Sequence, residues 1–243
     1  MKRIFITLCA ITISINFSQG QNKNYLSNRY SLERMGSVSS VSSPILPGLP
    51  FASPDVLGDP FLYSSLSTGT LLLYNNQVIK DALTKYDVLH DEFYFQTKQG
   101  MRVLPGNQVK SFIFLDSLTK RPTSYINAKE FKNETGTPFV GFFEIVYDGV
   151  FALLRKTEAT IQQANYHVAL NVGRMDHKVN KKTTLYYLKD NVCAVLPAPK
   201  KLTSVFGNSR PDIDRYIKIN QLNLKDERHL KIVFEYFNQI TDK

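Results

Sequence analysis

The chain has 243 residues, 43% hydrophobic, 21% charged and 12% aromatic, and its 30 Lys and Arg against 21 Asp and Glu give a formal charge of +9. With 12 Gly and 11 Pro, that composition excludes a collagen-like, coiled-coil or wholly disordered chain. The length suffices to bury a real core.

The first twenty residues read as an address. Lys2 and Arg3 form a positive start, Ile4 to Phe17 are uncharged and mostly apolar, and Ser18 and Gly20 are the small residues that precede signal cleavage. The expectation is a cleaved secretory signal at 1–20, with Gln21 as the mature N-terminus. The run is shorter than the roughly 20 apolar residues that span a bilayer. Leu8 precedes Cys9 where a lipid-anchor motif needs a small residue, so no lipidation is expected. Cleavage leaves 28 basic residues against 21 acidic ones, a charge of +7, and makes Cys193 the single cysteine. One cysteine forms no internal disulfide, so the core must hold the fold.

Residues 21–60 differ in composition from the rest of the mature chain. Ser37 to Ser43 is all Ser and Val, and then Pro44, Pro47, Pro50, Pro54 and Pro60 recur with Gly48 and Gly58. Proline removes backbone donors and glycine raises the entropy of order. This reads as a flexible or extended arm, packed on the domain near Phe51 and Leu57. No P-x-x-P stretch with basic flanks marks it as a docking ligand.

From Gly69 the pattern is β. Thr70 to Tyr74 ends at Asn75-Asn76, a turn pair. Tyr86 and Val88 hold one phase and Phe93 and Phe95 the other, which predicts a bulge or bend at Leu89–Asp91. Gln99-Gly100 suits a hairpin turn into Met101. Val109 to Leu115 is apolar on both faces and predicts a central strand. Asp148-Gly149 separates two apolar runs and predicts a type I′ hairpin with Tyr147 opposite Val150 and Ile145 opposite Ala152. Asp190-Asn191 predicts a second hairpin between Thr184–Lys189 and Val192–Leu196.

The tail changes to period 3.6. Lys200 to Phe206 suggests a helical turn stopped by Gly207. Ser209, Pro211 and Asp212 predict a capped helix start, with Ile213, Tyr216 and Ile217 on one face. Asn223 and Asp226 repeat the cap before Leu230, Val233, Phe234 and Phe237. The expected fold is therefore α+β and mainly antiparallel: a curled β-meander, barrel- or sandwich-like, at 61–200. A C-terminal pair of helices at 201–243 packs on it.

Catalytic chemistry is thinly marked. Asp87, His90, Asp91 and Glu92 place three carboxylates around one imidazole, a set able to move protons or hold a metal. Strand alternation parts them, with Asp87 and Asp91 on one face and His90 and Glu92 on the other, so the plainer reading is a polar strand end or bulge. Cys193 sits in an apolar strand, where a cysteine acts as a small hydrophobe. His167 or His177 is a conceivable base for it, but no Gly-rich oxyanion loop accompanies them. No G-x-S-x-G, S-x-x-K, P-loop, G-x-G-x-x-G or zinc spacing occurs, so no cofactor, no metal and no recognised enzyme class is expected.

Charge concentrates late in the chain. Residues 174–201 carry seven basic residues and two acids. Arg174, Lys178, Lys181, Lys182 and Lys189, with Tyr186 and Tyr187 nearby, form a candidate binding patch. For an exported protein the expected partner is an anionic lipid head group or glycan rather than nucleic acid. A solvated basic loop is the plainer alternative. Asn133-Glu134-Thr135 is an N-glycosylation triplet. Asp116-Ser117-Leu118 is like a bacterial O-glycosylation acceptor, and both triplets are short enough to arise by chance.

Several stretches resemble an uncharacterised family of exported proteins from Gram-negative bacteria. They are Gly58-Asp59-Pro60-Phe61-Leu62, Tyr86 to Glu92, Phe142 to Gly149, Tyr186 to Asn191, and Pro199 to Asn238 with its Asp212–Lys218 and Leu230–Asn238 helices. The resemblance covers about the last three quarters of the chain. It implies a periplasmic or envelope location, and it supplies no catalytic residue. The leading expectation is a non-catalytic exported envelope protein acting as an interaction or accessory module, with an envelope protein or an anionic surface as partner. One alternative is a periplasmic carrier of a small apolar ligand, lined by Phe139, Phe142, Phe143 and Phe151. Another is an enzyme of unrecognised class centred on Asp87, His90, Asp91 and Glu92.

Overall fold

The computed structural model describes residues 46–47, 56–116, 121–165, 170, 173 and 176–241. The expectations for 1–20, Ser37–Ser43, Phe51, Ser117, Leu118, His167 and Arg174 lie outside the described residues. The strands, in chain order, are β1 (Leu46–Pro47), β2 (Val56–Leu57), β3 (Ser67–Leu73), β4 (Val78–Asp87), β5 (Glu92–Thr97) and β6 (Gly100–Pro105). They continue with β7 (Val109–Leu115), β8 (Pro122–Asn127), β9 (Phe142–Tyr147), β10 (Ala152–Gln162), β11 (His177–Lys189) and β12 (Val192–Val195). A 3₁₀ segment (Leu202–Ser209) leads into helices α1 (Arg210–Ile219) and α2 (Glu227–Thr241).

The strands form one sheet in the order β1-β6-β5-β4-β3-β7-β8-β9-β10-β11-β12, and β2 adds in parallel to β11. Every other pairing is antiparallel, so the fold is the mainly antiparallel α+β meander expected, with a C-terminal helical pair. The sheet is open and does not close into a barrel. Covalent reach shows that it must curl. From β1 to the β2 position is ten strand spacings, about 48 Å if flat at about 4.8 Å each. The nine steps from Pro47 to Val56 span at most about 32 Å. Only a curved sheet brings its two ends within that reach.

Several turns match the sequence reading. Asn76 takes φ 67 between β3 and β4. Asp190 and Asn191 take φ 50 and 66, and Lys189 lies opposite Val192, a two-residue hairpin. Strand β7 is central, between β3 and β8. The β5–β6 turn lies one residue earlier than the expected Gln99-Gly100: its residues are Lys98 and Gln99, with Thr97 opposite Gly100. Gly207, at φ 56 and ψ −126, breaks the helical segment before α1.

One local expectation is sharpened and two are corrected. The phase slip after Val88 is the bend alternative, a full chain reversal at the expected place, and not a bulge within one strand. Strand β4 ends at Asp87, whose carboxylate accepts the N–H of Leu89 (2.8 Å) and His90 (3.0 Å), and β5 returns with Phe93 opposite Tyr86. Ser209 makes no side-chain capping bond. Asp226 does cap α2, accepting the Arg228 N–H at 2.9 Å. Finally, Asp148-Gly149 does not form a two-residue hairpin. Tyr147 pairs with Leu153 and Ile145 with Leu154, which leaves Asp148–Phe151 as a four-residue loop. The Asn238 side chain on α2 accepts the Phe151 N–H and donates to the Phe151 carbonyl, both at 2.9 Å, and so captures that loop. Gly149 is required for space, because a Cβ there would lie 2.7 Å from Asn238 Oδ1.

The buried apolar side chains form three clusters. The β3–β8 half encloses an aromatic core of Tyr86, Phe93, Phe95, Phe112, Phe114, Tyr125 and Phe142. Phe131, Phe143, Leu154, Tyr186 and Cys193 fill a second cluster, with Phe139 packed against it. Helices α1 and α2 cover a third around Phe151, Leu153, Phe206 and Phe234. The four phenylalanines expected to line one cavity are thus spread over three clusters, packed ring against ring. A segment of the 21–60 region also joins the fold. Val56 and Leu57 pair with His177 and Lys178 of β11, and Val88 N–H bonds to Pro60 O (2.9 Å).

Candidate functional site

The turn after β4 divides the polar quartet. Asp87 is fully buried, and its Oδ2 lies 2.9 Å from His90 Nδ1. Asp91 faces elsewhere. It accepts the Tyr86 hydroxyl (2.8 Å), and Gly106 packs so close that a Cβ would lie 2.1 Å from Asp91 Oδ1. Burial raises the Asp91 carboxyl above its ordinary value, and burial with the Asp91 charge pushes the Tyr86 hydroxyl well up. Glu92 accepts the Tyr94 hydroxyl at 3.1 Å. That hydroxyl is pushed up to about 12, by burial first and by Glu92 second. The quartet is one Asp–His pair and two separate carboxylate–tyrosine pairs. Among the described residues no group of three or more His, Cys, Asp or Glu side chains is placed to hold a metal ion.

Lys178, Lys181, Lys182 and Lys189 all lie on β11. Alternation puts Lys178 and Lys182 on one face and Lys181 and Lys189 on the other. From Lys178 to Lys189 the strand runs about 36 Å. Lys181 Nζ donates to Phe61 O (2.7 Å) and lies 3.7 Å from Asp59. Lys182 stands opposite Glu158, which also pairs with Lys156. Tyr186 is buried, and Tyr187 stacks on Phe151. The structure does not bring these lysines together as one patch.

Cys193 is buried, and burial pushes its thiol up to about 12. It is expected to resist a thiol reagent such as DTNB in the native protein and to react fully after denaturation. Rapid native labelling at neutral pH would contradict this placement.

One open feature among the described residues is a seam in the sheet. Strands β8 and β9 pair at Asn127↔Phe142, Ile126↔Phe143 and Tyr125↔Glu144, and there the ladder stops. Both strands run on, through Ser124, Thr123 and Pro122 on one side and Ile145, Val146 and Tyr147 on the other. These six residues line a cleft of about 470 Å³, together with Glu144, Asp148 and, from the first turns of α2, Glu227, Arg228 and Lys231. The cause is local. Tyr147 pairs with Leu153 and Ile145 with Leu154, so Val146 is an extra residue against β10. A bulge of this kind bends its strand and ends pairing on the far side.

A charged row marks the inner end of the seam. Arg155 lies opposite Glu144 and donates from Nη1 to both its oxygens (3.0 and 3.1 Å), while Nη2 pairs with Glu227. Side-chain exposure is 17% for Glu144 and 27% for Arg155. Burial raises the Glu144 carboxyl and outweighs the lowering by Arg155. Burial alone would lower Arg155, but Glu144 and Glu227 more than reverse this. Tyr125, opposite Glu144, shares a 2.7 Å hydroxyl contact with Tyr63, and burial with the Glu144 charge raises it. The row can orient a polar group entering the cleft, because its two carboxylates and one guanidinium stand in fixed geometry.

Sequence reasoning passed over Glu144, Arg155 and Glu227. The first two left a trace: Glu144 is the one charge in Phe142–Tyr147, and Arg155 is the first charge after the apolar run Phe151–Leu154. Glu227 left none, since only the packing of α2 brings it there. Comparisons with models of known protein families, with curated proteins and with solved structures find no match to this chain.

Proposed function

We propose that this is an exported, non-catalytic envelope protein acting as an interaction module, and that the β8–β9 seam receives an extended segment of a partner protein. One observation carries the reading. Two neighbouring strands stop pairing at Tyr125↔Glu144 and continue as the two walls of an open cleft. Strand edges offer backbone donors and acceptors to an extended peptide, and side chains along the walls select it. Here the selecting groups are the Thr123 and Ser124 hydroxyls and the charges of Glu144, Glu227, Arg228 and Lys231. Export is supported by the pattern of Lys2 to Gly20, and the envelope by the family resemblance. The anionic-surface reading draws less support, because the lysines of β11 point to both faces.

The test is a photo-crosslinking amino acid placed at Ser124 or Val146 in producing cells. The control position is Ile219, 72% exposed at the end of α1 and not among the residues that line the cleft. A discrete protein adduct from both seam positions, absent from Ile219, is expected. No adduct at the seam, or the same adducts at Ile219, would sink the reading.

A further inference from the structure

Strand β10 outruns its neighbour. It pairs with β9 only from Leu153 to Lys156 and then continues for six residues, Thr157–Gln162, which β11 supports on the other side through Thr183 to Lys178. The chain before β9 turns away at Gly141, where φ is 81. Among the described residues no strand pairs with the outer edge of Thr157–Gln162.

We infer that this edge pairs with the same edge of a second copy of the chain, in antiparallel register about Thr160. The two end strands of the sheet order, β1 and β12, are guarded and this edge is not. Strand β1 is two residues long and carries Pro47, and the outer side of β12 is bonded by Lys132, whose carbonyl accepts the Cys193 N–H at 2.8 Å. Proline, lysine and bulges are the devices that normally blunt an edge. Thr-Glu-Ala-Thr-Ile-Gln contains no proline, glycine or lysine, and its pairing with β11 is unbroken. The ribbon is also ordered in advance by Asn180 Nδ2 to Gln162 Oε1 (3.1 Å) and the Thr157–Thr183 hydroxyl contact (3.4 Å).

Symmetry and charge select the register. A two-fold axis perpendicular to the sheet places residues of the same face opposite each other. Centred on Thr160 it pairs Thr160 with itself, Ala159 with Ile161 and Glu158 with Gln162. Threonine pairs and Ala–Ile contacts are favourable, and Ile161, 38% exposed, gains cover. The two Glu158 carboxylates lie about 13 Å apart along the strand. A register centred on Glu158 would set them face to face, which is unfavourable. So short an interface buries less than the area of a stable dimer, so weak, concentration-dependent association is expected.

Sedimentation of the purified full protein from about 1 to 300 μM should show reversible dimerisation. Thr160→Pro and, separately, Ile161→Lys should weaken it at least roughly tenfold without changing the circular dichroism spectrum or the melting temperature. Under mild oxidant, Thr160→Cys should give a disulfide-linked dimer while Ile219→Cys does not. A monomer at every concentration overturns the proposal. So does a dimer that both edge variants leave intact.

Discussion

Asn238→Leu is expected to destabilise the protein by about 3–5 kcal/mol, because it strips three bonds from a buried site. Asn238 is 8% exposed. Its amide accepts the Phe151 N–H, and its Nδ2 donates to Phe151 O (2.9 Å) and to Phe234 O (2.8 Å). Leucine has a similar volume, so the loss is polar rather than steric. It leaves a buried N–H and a buried C=O unpaired, at about 1–3 kcal/mol each. The Phe151 ring stacks on Phe234 and Tyr187. Releasing the loop therefore loosens the junction between the sheet and the helices. Urea denaturation with an unchanged slope would measure the effect, and a loss below about 1 kcal/mol would show that the clamp is not what holds the loop.

Arg155→Met is expected to cost about 2–3 kcal/mol at neutral pH, with a deficit that shrinks as the solution is acidified. Removing one partner of a buried pair costs about 3–5 kcal/mol. The partial exposure of Glu144 and Arg155 puts this case at or below the lower end. The variant leaves Glu144 facing Glu227 without the guanidinium between them. The direction with pH comes from Glu144. Its carboxyl is already raised in the folded protein, so the folded state holds that proton to a higher pH than the unfolded chain does. The associated stability is present below the unfolded value and is lost as pH rises through the folded one. Losing Arg155 raises the folded value further, so the variant is weakest where Glu144 is ionised. Adding Glu144→Gln should restore much of the loss at neutral pH. Denaturation at neutral pH and near pH 4 tests both points, and a deficit equal at the two pH values would refute this account.

The interaction reading and the self-pairing of β10 stand on different strands. Loss of the seam adduct would not disturb the dimer, and a monomer would not empty the seam. Both would place the protein's contacts on exposed backbone edges.

Local chemistry in the sequence determined much of this protein. Asn76, Asp190 and Asn191 turn the chain where they do because those side chains tolerate positive φ, and Asn75 helps by accepting the Gln77 N–H. Val109–Leu115 is central because it is apolar on both faces, and α2 packs as its Leu230, Val233, Phe234 and Phe237 stripe requires. Tertiary structure decided the rest. The pattern of Asp148-Gly149 is that of a tight hairpin, but Asn238, 87 residues from Phe151, holds the loop open. Strand alternation grouped Asp87 with Asp91 and His90 with Glu92, yet the chain reversal pairs Asp87 with His90 and gives Asp91 to Tyr86. The seam depends on a bulge at Val146 and on where α2 begins, and the free edge of β10 depends on β9 being shorter. Periodicity reports which face a residue takes. It does not report the length of the neighbouring strand or the distant side chain that competes for a backbone bond, and those two facts create both candidate surfaces.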